Sequence, residues 1–450
     1  MKAQTVYICQ NCGATSARWT GRCPVCGQWD TFVEERRERA GDRTQYRSTP
    51  AQPLPLSAVG THPLERLSTG IGELDRVTGG GFVPGSLVLV AGDPGVGKST
   101  LLLQVCAALG SVQSLYISGE ESLEQLRLRA ERIRPSPSTL LVLAETELEA
   151  VCTAITQSTA AVVVIDSVQT LYSPDLESPP GSVAQVREAA TRLQKLAKQR
   201  GTVIILIGHV TKEGLIAGPK VLEHIVDTVL QLEGEVPYAY RILRALKNRF
   251  GPTHELGFFE MTATGLRELP NPSALFVSRT SAGESGVAIA AVLEGTRPLL
   301  VEVQALVTPS AYAVPQRTMT GYDSRRLQMI MAVLERRLGI GLRQYDLFAN
   351  IVGGLRLDDP AVDAAVALAI VSSYREHPLP ADTALFGELG LTGELRPVRL
   401  PELRVNEARR LGIRRLLLPK ANADAVAEVA ETLELIPVDR LSLALAHLFP

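Results

Sequence analysis

Apolar runs and helical periodicity alternate along the middle of the chain. Continuous apolar runs predict buried strands at residues 87–91, 114–118, 160–166 and 202–209. Between them, apolar residues recur every three or four positions at residues 123–134 and 183–199, which predicts amphipathic helices. Strands that alternate with helices indicate an α/β fold with a parallel sheet, whose site is expected at the carboxyl ends of the strands.

The pattern restarts after Pro270-Asn271-Pro272. Apolar runs predict strands at residues 286–292, 299–307 and 416–419, and helical patterns cover residues 361–373 and 401–411. These elements predict a separate α+β domain at the C-terminal end of the chain.

The N-terminal part has a different character. From about residue 34 the charges are mixed, and Gly, Ser, Thr, Pro and Gln then dominate, as is typical of a linker. We therefore expect a small module at 1–33, a linker at 34–60, the α/β domain at 61–270 and the α+β domain at 271–450.

Composition limits the class of protein. The chain has 450 residues, of which 45% are apolar and 21% are charged, so it is expected to be globular with two or three domains. Its net charge of −2 means that any nucleic-acid surface must be local. No apolar run has the length of a membrane span, and the first residues lack a signal peptide, which predicts a cytoplasmic protein with no membrane partner and reduced cysteines.

The stretch after the first predicted strand, GDPGVGKST, matches the phosphate-loop motif GxxxxGK[ST]. Its residues are Gly92, Asp93, Pro94, Gly95, Val96, Gly97, Lys98, Ser99 and Thr100. Glycines let backbone N–H groups surround phosphate oxygens, Lys98 can reach the β- and γ-phosphates, and Ser99 can ligate Mg²⁺. We interpret the loop as a site for ATP or ADP with Mg²⁺; the alternative is a glycine-rich turn with a chance lysine.

Polar residues end three of the predicted strands. Asp166 occupies the position of a Walker-B acid that holds Mg²⁺ through water, and Glu120 could orient and deprotonate the attacking water. Glu120 and Glu121 would alternatively cap a helix N-terminus. His209 could sense the γ-phosphate, or it could be an ordinary polar loop residue.

Four cysteines near the N-terminus have the spacing C-x2-C-x10-C-x2-C; they are Cys9, Cys12, Cys23 and Cys26. Two tight turns of this kind bring four thiolates to a tetrahedral Zn²⁺ site. Disulfide pairing is the alternative, which a reducing compartment disfavours. Because so short a module cannot bury much of a core, the metal would supply its folding energy.

Several motifs resemble those of RecA-type ATPases: residues 69–75, the phosphate loop, 116–122 and 165–170. Residues 247–251, KNRFG, after a four-cysteine N-terminus, narrow the resemblance to the bacterial RadA/Sms DNA repair proteins. That resemblance implies a hexameric, DNA-stimulated ATPase that drives branch migration on single-stranded and branched DNA. It further implies a recombinase filament as partner and a location at the nucleoid. It also implies that Lys247 and Arg249 act on ATP held by the neighbouring subunit; a solvated basic strand edge is the alternative.

RecA-type motors grip DNA with two loops, which correspond here to residues 172–182 and 211–220. Lys212 and Lys220 are the candidate phosphate contacts. No ladder of stacking aromatic residues is visible in the sequence, so binding is expected to depend on the DNA backbone and not on sequence.

Residues 391–398, 408–413 and 418–419 resemble the proteolytic domain of Lon, which uses a Ser–Lys dyad. Residues 358–365, the nucleophile region, contain no serine or cysteine, and Glu402 falls at the position of the general-base lysine, with Arg404 nearby. We expect a non-proteolytic domain retained for assembly or for a basic DNA track.

Arg317, Arg325 and Arg326 are the candidates for that track, and a solvated face is the alternative. The competing function is a protein-directed ATPase, either a Lon-like protease or a KaiC-like signalling ATPase.

Overall fold

The computed structural model describes residues 4–9, 14–37, 55, 65–133, 139–209, 219–234, 240–253, 255–278, 283–430 and 432–449. The chain forms two compact units, Met1–Leu269 and Pro270–Pro450. Among the helices in these described ranges, none combines the length and the apolar character needed to cross a bilayer.

A small antiparallel sheet begins the first unit. Its strands, as far as the structure describes them, are β1 (Gln4–Cys9), β2 (Thr15–Ser16) and β3 (Phe32–Arg37), with β1 in the centre. Cys9, Cys23 and Phe32 are buried together beneath it. This is a very small apolar core, which fits a module that depends on a metal ion.

The main sheet of the first unit has nine strands within the described ranges, in the order β12-β11-β10-β9-β4-β8-β7-β5-β6. Its strands are β4 (Leu87–Gly92), β5 (Ser114–Ser118), β6 (Leu140–Ala144), β7 (Val162–Asp166), β8 (Val203–His209), β9 (Thr228–Glu233), β10 (Tyr240–Asn248), β11 (Leu256–Thr262) and β12 (Gly265–Glu268). Strands β4 to β9 pair in parallel, and β10 to β12 extend the sheet in antiparallel fashion.

Helices pack on both faces of this sheet. They are α1 (Gly72–Thr78), α2 (Lys98–Ala108), α3 (Leu123–Ile133), α4 (Leu148–Gln157), α5 (Val183–Arg200) and α6 (Pro219–Leu222). Every residue of β4, β5 and β7 is buried, and separate apolar clusters lie on the two faces. Strands buried on both sides need continuous apolar runs, which is the pattern that predicted them.

The second unit contains a seven-stranded sheet in the order β15-β16-β14-β13-β17-β20-β21, counted over the described residues, and a two-stranded sheet β18-β19. The strands are β13 (Val287–Glu294), β14 (Arg297–Pro309), β15 (Arg317–Thr320), β16 (Tyr345–Ile351), β17 (Thr383–Leu385), β18 (Glu388–Leu389), β19 (Leu395–Arg396), β20 (Arg415–Pro419) and β21 (Glu434–Val438).

The helices of this unit are α7 (Ser273–Phe276), α8 (Ser324–Leu338), α9 (Asp363–Arg375), α10 (Pro401–Arg410), α11 (Ala423–Val426) and α12 (Leu441–Leu448), with 3₁₀ turns at Pro360–Val362 and Lys420–Asn422. From residue 363 to residue 373, α9 is buried on every side, so it forms the centre of the unit. The expected α+β character of this part of the chain is confirmed.

Candidate ATP site and metal centre

The phosphate loop connects the carboxyl end of β4 to the first turn of α2. Gly95 and Gly97 adopt φ values of 78° and 115°, in the left-handed region that favours glycine. A Cβ at Gly92, the first residue of the loop, would lie 2.4 Å from the backbone oxygen of Leu232, so a side chain there is excluded on steric grounds. The loop therefore leaves its backbone N–H groups and the amino end of α2 available to an anion.

Lys98 is buried at the start of α2. Its Nζ donates to the carbonyl oxygens of Gly92 (2.9 Å) and Asp93 (3.0 Å) and lies 3.1 Å from His209 Nδ1. Burial lowers the pKa of the Lys98 ammonium, an effect that the carboxylates of Asp166, Glu120 and Asp93 oppose. The cation is thus held inside the loop, where bound phosphates would meet it.

Asp166 ends β7 and is buried beside the loop. The phenol of Tyr116, in the middle of the adjacent strand β5, donates to Asp166 Oδ2 at 2.7 Å. Burial, and to a lesser extent the Asp166 carboxylate, hold the pKa of the Tyr116 phenol well above its usual range. The phenol therefore stays protonated and donates a hydrogen bond to Asp166. Ser99, the other expected Mg²⁺ ligand, is half-buried in the first turn of α2.

Glu120 follows the carboxyl end of β5. Its Oε1 accepts a hydrogen bond from Ser167 Oγ (2.6 Å) and lies 3.3 Å from His209 Nε2. His209 therefore stands between Lys98 and Glu120, with one ring nitrogen toward each. This arrangement can orient a carboxylate toward a water molecule next to a bound phosphate.

Glu121 has a different environment. Its carboxylate pairs with Arg129 of α3, and its backbone N–H donates to Ser118 Oγ. Ser122 Oγ accepts from the backbone N–H of Gln125 and so caps the first turn of α3. The described contacts thus give the capping role to Ser122 and leave Glu120 facing Ser167 and His209.

Lys247 and Arg249 lie at the far end of β10. Lys247 Nζ donates to the carbonyl oxygens of Glu223 and Val226, and Arg249 Nη1 lies 3.1 Å from the buried Oδ1 of Asp227. Asp227 Oδ2 in turn accepts from the backbone N–H of Leu87, the first residue of β4. Both cations are therefore at the amino end of β4, whereas the phosphate loop is at its carboxyl end.

A cluster of thiols lies in the N-terminal sheet. The Sγ atoms of Cys9, Cys23 and Cys26 are within 4.8 Å of one another, and those of Cys9 and Cys26 are 3.7 Å apart. Zn–S bonds of about 2.3 Å at tetrahedral angles place two sulfurs about 3.8 Å apart, whereas a disulfide needs about 2.05 Å. The three thiols fit a zinc ion, while the fourth expected ligand, Cys12, lies outside the described residues.

The expected DNA contacts are only partly described. Lys212 lies outside the described residues, and so does the side chain of Lys220 in α6. Arg317 on β15 and Arg325 in α8 are exposed. Arg326 pairs with the fully buried carboxylate of Asp363 and with Glu388, so its charge is already matched within the second unit.

A buried ion pair connects the expected nucleophile region, residues 358–365, to α10, two residues after Glu402. Arg404 Nη1 donates to Asp359 Oδ2 (2.7 Å) and to Ala291 O (2.8 Å), and its side chain is 2% exposed. Asp359 also accepts from the backbone N–H groups of Leu293 and Ala361. Burial lowers the pKa of Arg404, an effect that Asp359 opposes.

Sequence reasoning missed Tyr116 and Ser167, which contact the two carboxylates. Both residues lie in segments that resemble RecA-type motifs, residues 116–122 and 165–170, but those motifs indicated no role for either side chain. Their roles follow from contacts between neighbouring strands, which only the fold shows.

Family models match three parts of the chain, and one solved structure resembles a part of it. A family model described as "AAA domain" matches residues 53–214, and one described as "Rubredoxin metal binding domain" matches residues 7–34. A third, described as "Lon protease (S16) C-terminal proteolytic domain", matches residues 350–450. The crystal structure of the RadB recombinase is 26% identical, with a TM-score of 0.37, and covers 45% of this chain and 99% of its own.

Relatives of known name match the chain along its whole length. DNA repair protein RadA of Bacillus subtilis (strain 168) is 49% identical and covers 96% of this chain and 98% of its own. DNA repair protein RadA of Listeria monocytogenes is 48% identical, and the match covers 100% of this chain and 99% of that protein. The RadA protein of Halalkalibacterium halodurans is 47% identical, and the match covers 99% of this chain and 98% of that protein.

The expected RecA-like core, zinc ribbon and Lon-like domain are thereby confirmed, and the chain is an ATPase of DNA repair and recombination that uses nucleotide and Mg²⁺. With nearly half of its residues identical to such proteins from end to end, the chain belongs to the RadA family of DNA repair proteins.

Proposed function

We propose that this ATPase is a DNA-stimulated, helicase-like motor that assembles as a homo-hexameric ring. On single-stranded and branched DNA it drives branch migration of recombination intermediates, working beside a recombinase filament in the cytoplasm, at the nucleoid. ATP hydrolysis takes place between subunits and supplies the energy for movement along DNA.

The placement of Arg249 carries this proposal. Arg249 is anchored through Asp227 at the amino end of β4, and the phosphate loop begins at the carboxyl end of that six-residue strand. A strand of six residues spans roughly 16–20 Å, so Arg249 is out of reach of its own subunit's γ-phosphate. Its side chain is nonetheless 48% exposed, where a second subunit can approach it.

Within one subunit, the loop and Lys98 bind the phosphates. Ser99 and Asp166 would hold Mg²⁺, which neutralises charge on the β- and γ-phosphate oxygens. Glu120 orients the attacking water and accepts its proton, since its carboxylate is held by Ser167 and faces His209. His209 links this carboxylate to Lys98 and so can register whether a γ-phosphate is present.

The neighbouring subunit completes the site in this proposal. Lys247 and Arg249 would approach the γ-phosphate and stabilise the negative charge that develops there. An arginine supplied in this way raises the rate by about 10³–10⁵ in GTPases. Turnover therefore depends on assembly.

We assign residues 1–33 to a zinc ribbon, 34–60 to a linker, 61–270 to the motor domain and 271–450 to a non-proteolytic Lon-like domain. Two observations support the last assignment: residues 358–365 lack a serine or cysteine, and Asp359 in that segment forms a buried ion pair with Arg404 of α10. Lys212, Lys220, Arg317 and Arg325 remain the proposed contacts to DNA phosphates.

A subunit-mixing experiment tests the ring. Lys98→Ala and Arg249→Ala proteins are each expected to lose nearly all ATP turnover, the first through lost phosphate binding and the second with nucleotide binding retained. When they are mixed, some interfaces join an intact loop to an intact Arg249, so part of the activity should return. Mixed rings that are confirmed by native mass spectrometry and stay inactive would show that Arg249 does not act across subunits.

The choice of substrate is tested separately. Single-stranded DNA should raise the ATP turnover of the full chain, whereas an unfolded protein such as casein should neither raise it nor be cleaved. ATP-dependent casein cleavage without any response to DNA would favour the protein-directed alternative.

A further inference from the structure

Both tryptophans of the chain are exposed on the zinc ribbon. The sequence contains only two, Trp19 and Trp29, and their exposed fractions are 55% and 69%. Tryptophan has the largest apolar surface of any side chain and is highly buried on average. Placing both of them in solvent, on a module with almost no core, indicates a binding surface.

The two indoles lie side by side. A Cβ built on Gly21 would be 3.7 Å from Trp19 Cη2 and 3.8 Å from Trp29 Cζ3, so both rings flank the same glycine. The backbone fixes this arrangement, because Arg22 and Trp29 form an antiparallel bridge and the N–H of Asp30 donates to Gly21 O at 2.8 Å. Ten residues separate the tryptophans in sequence, so only the folded turn brings them together.

Positive charge accompanies the indoles. The Arg22 guanidinium lies over the Trp29 ring, 5.8 Å from its centroid, and Arg22 Nε donates to Gly27 O, which restrains both side chains. Arg18 is exposed next to Trp19 in sequence. Between residues 14 and 33, apart from the expected zinc ligands, the charged side chains are Arg18, Arg22 and a single carboxylate, Asp30, so arginines outnumber carboxylates beside the indoles.

We propose that Trp19 and Trp29 form a stacking platform for bases of single-stranded DNA, with Arg18 and Arg22 beside the phosphates. Indole faces bind any base by stacking, and guanidinium groups complement the charge of the backbone, which is the chemistry of binding without sequence preference. The inference rests on the proposed action of the chain on DNA, and adds the ribbon as a site that reads unpaired bases. The arginines beside the indoles complement the charge of a phosphate backbone, which favours DNA over a protein partner.

The tryptophans themselves report on the test. Because the chain has no others, tryptophan emission from the full-length, zinc-loaded protein comes from this surface alone. Titration with a 30-nucleotide oligo-dT should quench the emission in parallel with the anisotropy of labelled DNA. An abasic 30-mer with the same phosphates should bind more weakly and leave the emission unchanged. Trp19→Phe and Trp29→Phe proteins assign the quenching to each ring.

Affinity gives a second readout. Trp19→Ala and Trp29→Ala should each weaken oligo-dT binding roughly 10-fold at constant salt, because one stacked base is lost. The dependence of affinity on salt should stay unchanged, since the phosphate contacts remain. Val25→Ala, at a 73%-exposed position of the same ribbon, is the matched control and should bind as the parent does. Zinc content per chain verifies that each ribbon is folded.

The outcomes separate the two proposals. A parent protein that binds DNA by anisotropy with unchanged tryptophan emission, and alanine variants that bind equally well, would overturn the platform and leave the motor in place. Emission that responds to a recombinase filament but not to oligo-dT would assign the surface to a protein partner and overturn it too. A parent protein that binds no DNA at all would instead refute the proposed motor function.

Discussion

The phenol of Tyr116 donates a hydrogen bond of 2.7 Å to the Oδ2 of Asp166, from one buried parallel strand to the next. Asp166 is the carboxylate that we expect to hold Mg²⁺ through water, so Tyr116 fixes the direction in which its oxygens point. Such supporting contacts often change metal affinity by about 10–100-fold when they are removed. The relationship makes Tyr116 a positioning residue for the metal site.

Tyr116→Phe should therefore raise the Mg²⁺ concentration that gives half-maximal ATP turnover by about 10-fold, while ATP turnover at saturating Mg²⁺ falls less. Binding of a fluorescent ADP analogue, measured with and without Mg²⁺, gives an independent readout of the metal. Tyr345→Phe is the control, because its ring packs edge-on against Tyr374 in the second unit. An unchanged Mg²⁺ dependence in the Tyr116 variant would contradict the assignment.

Glu120→Gln should bind ATP with nearly the affinity of the parent protein and hydrolyse it at least about 100-fold more slowly, because an amide cannot accept the proton of the attacking water. Single-turnover ATP hydrolysis and equilibrium nucleotide binding together separate these effects.

Glu121→Gln is the matched control. Its carboxylate pairs with Arg129 of α3 and not with Ser167 or His209, so turnover should change by less than about threefold. If the two variants behaved in the opposite way, Glu121 and not Glu120 would be the general base.

Cys23→Ala should release zinc and unfold the N-terminal sheet, because Cys23 is buried within the thiol cluster and the sheet has little other core. Metal analysis should give about one Zn²⁺ per chain for the parent protein and none for the variant, and nucleotide binding should persist. Cys106→Ala removes a buried thiol of α2 outside the cluster and should keep its zinc. A parent protein without zinc after reduced purification would refute the site.

Arg404→Leu should destabilise the second unit by about 3–5 kcal/mol, because it leaves the Asp359 charge buried without its partner. Arg415→Leu breaks a half-exposed pair with Asp382 and should cost less than about 1 kcal/mol. Hydrogen exchange of the β13 peptide measures the difference, since the Leu293 N–H is donated to Asp359. Equal exchange in the two variants would contradict the expected difference.

Sequence patterns predicted the parallel strands well, because strands such as β4 and β7 are buried on both faces and must be continuously apolar. They did not predict the antiparallel extension of β10 to β12, whose strands mix buried and exposed positions and carry the basic residues of the KNRFG segment. Motifs identify residues that act through local sequence, such as Lys98. They cannot identify Tyr116 or the Trp19–Trp29 pair, because those relationships exist only between segments that the fold brings together.

The ion pair between Arg404 and Asp359 also has an evolutionary consequence. A serine within residues 358–365 and a lysine at residue 402 would supply the residue types of a peptidase dyad, but the buried pair of Arg404 and Asp359 would still lie beside them. Removing one member of the pair alone would leave the charge of the other buried without its partner. A change of this domain toward proteolysis would therefore have to replace both members of the pair as well as add the two catalytic residues.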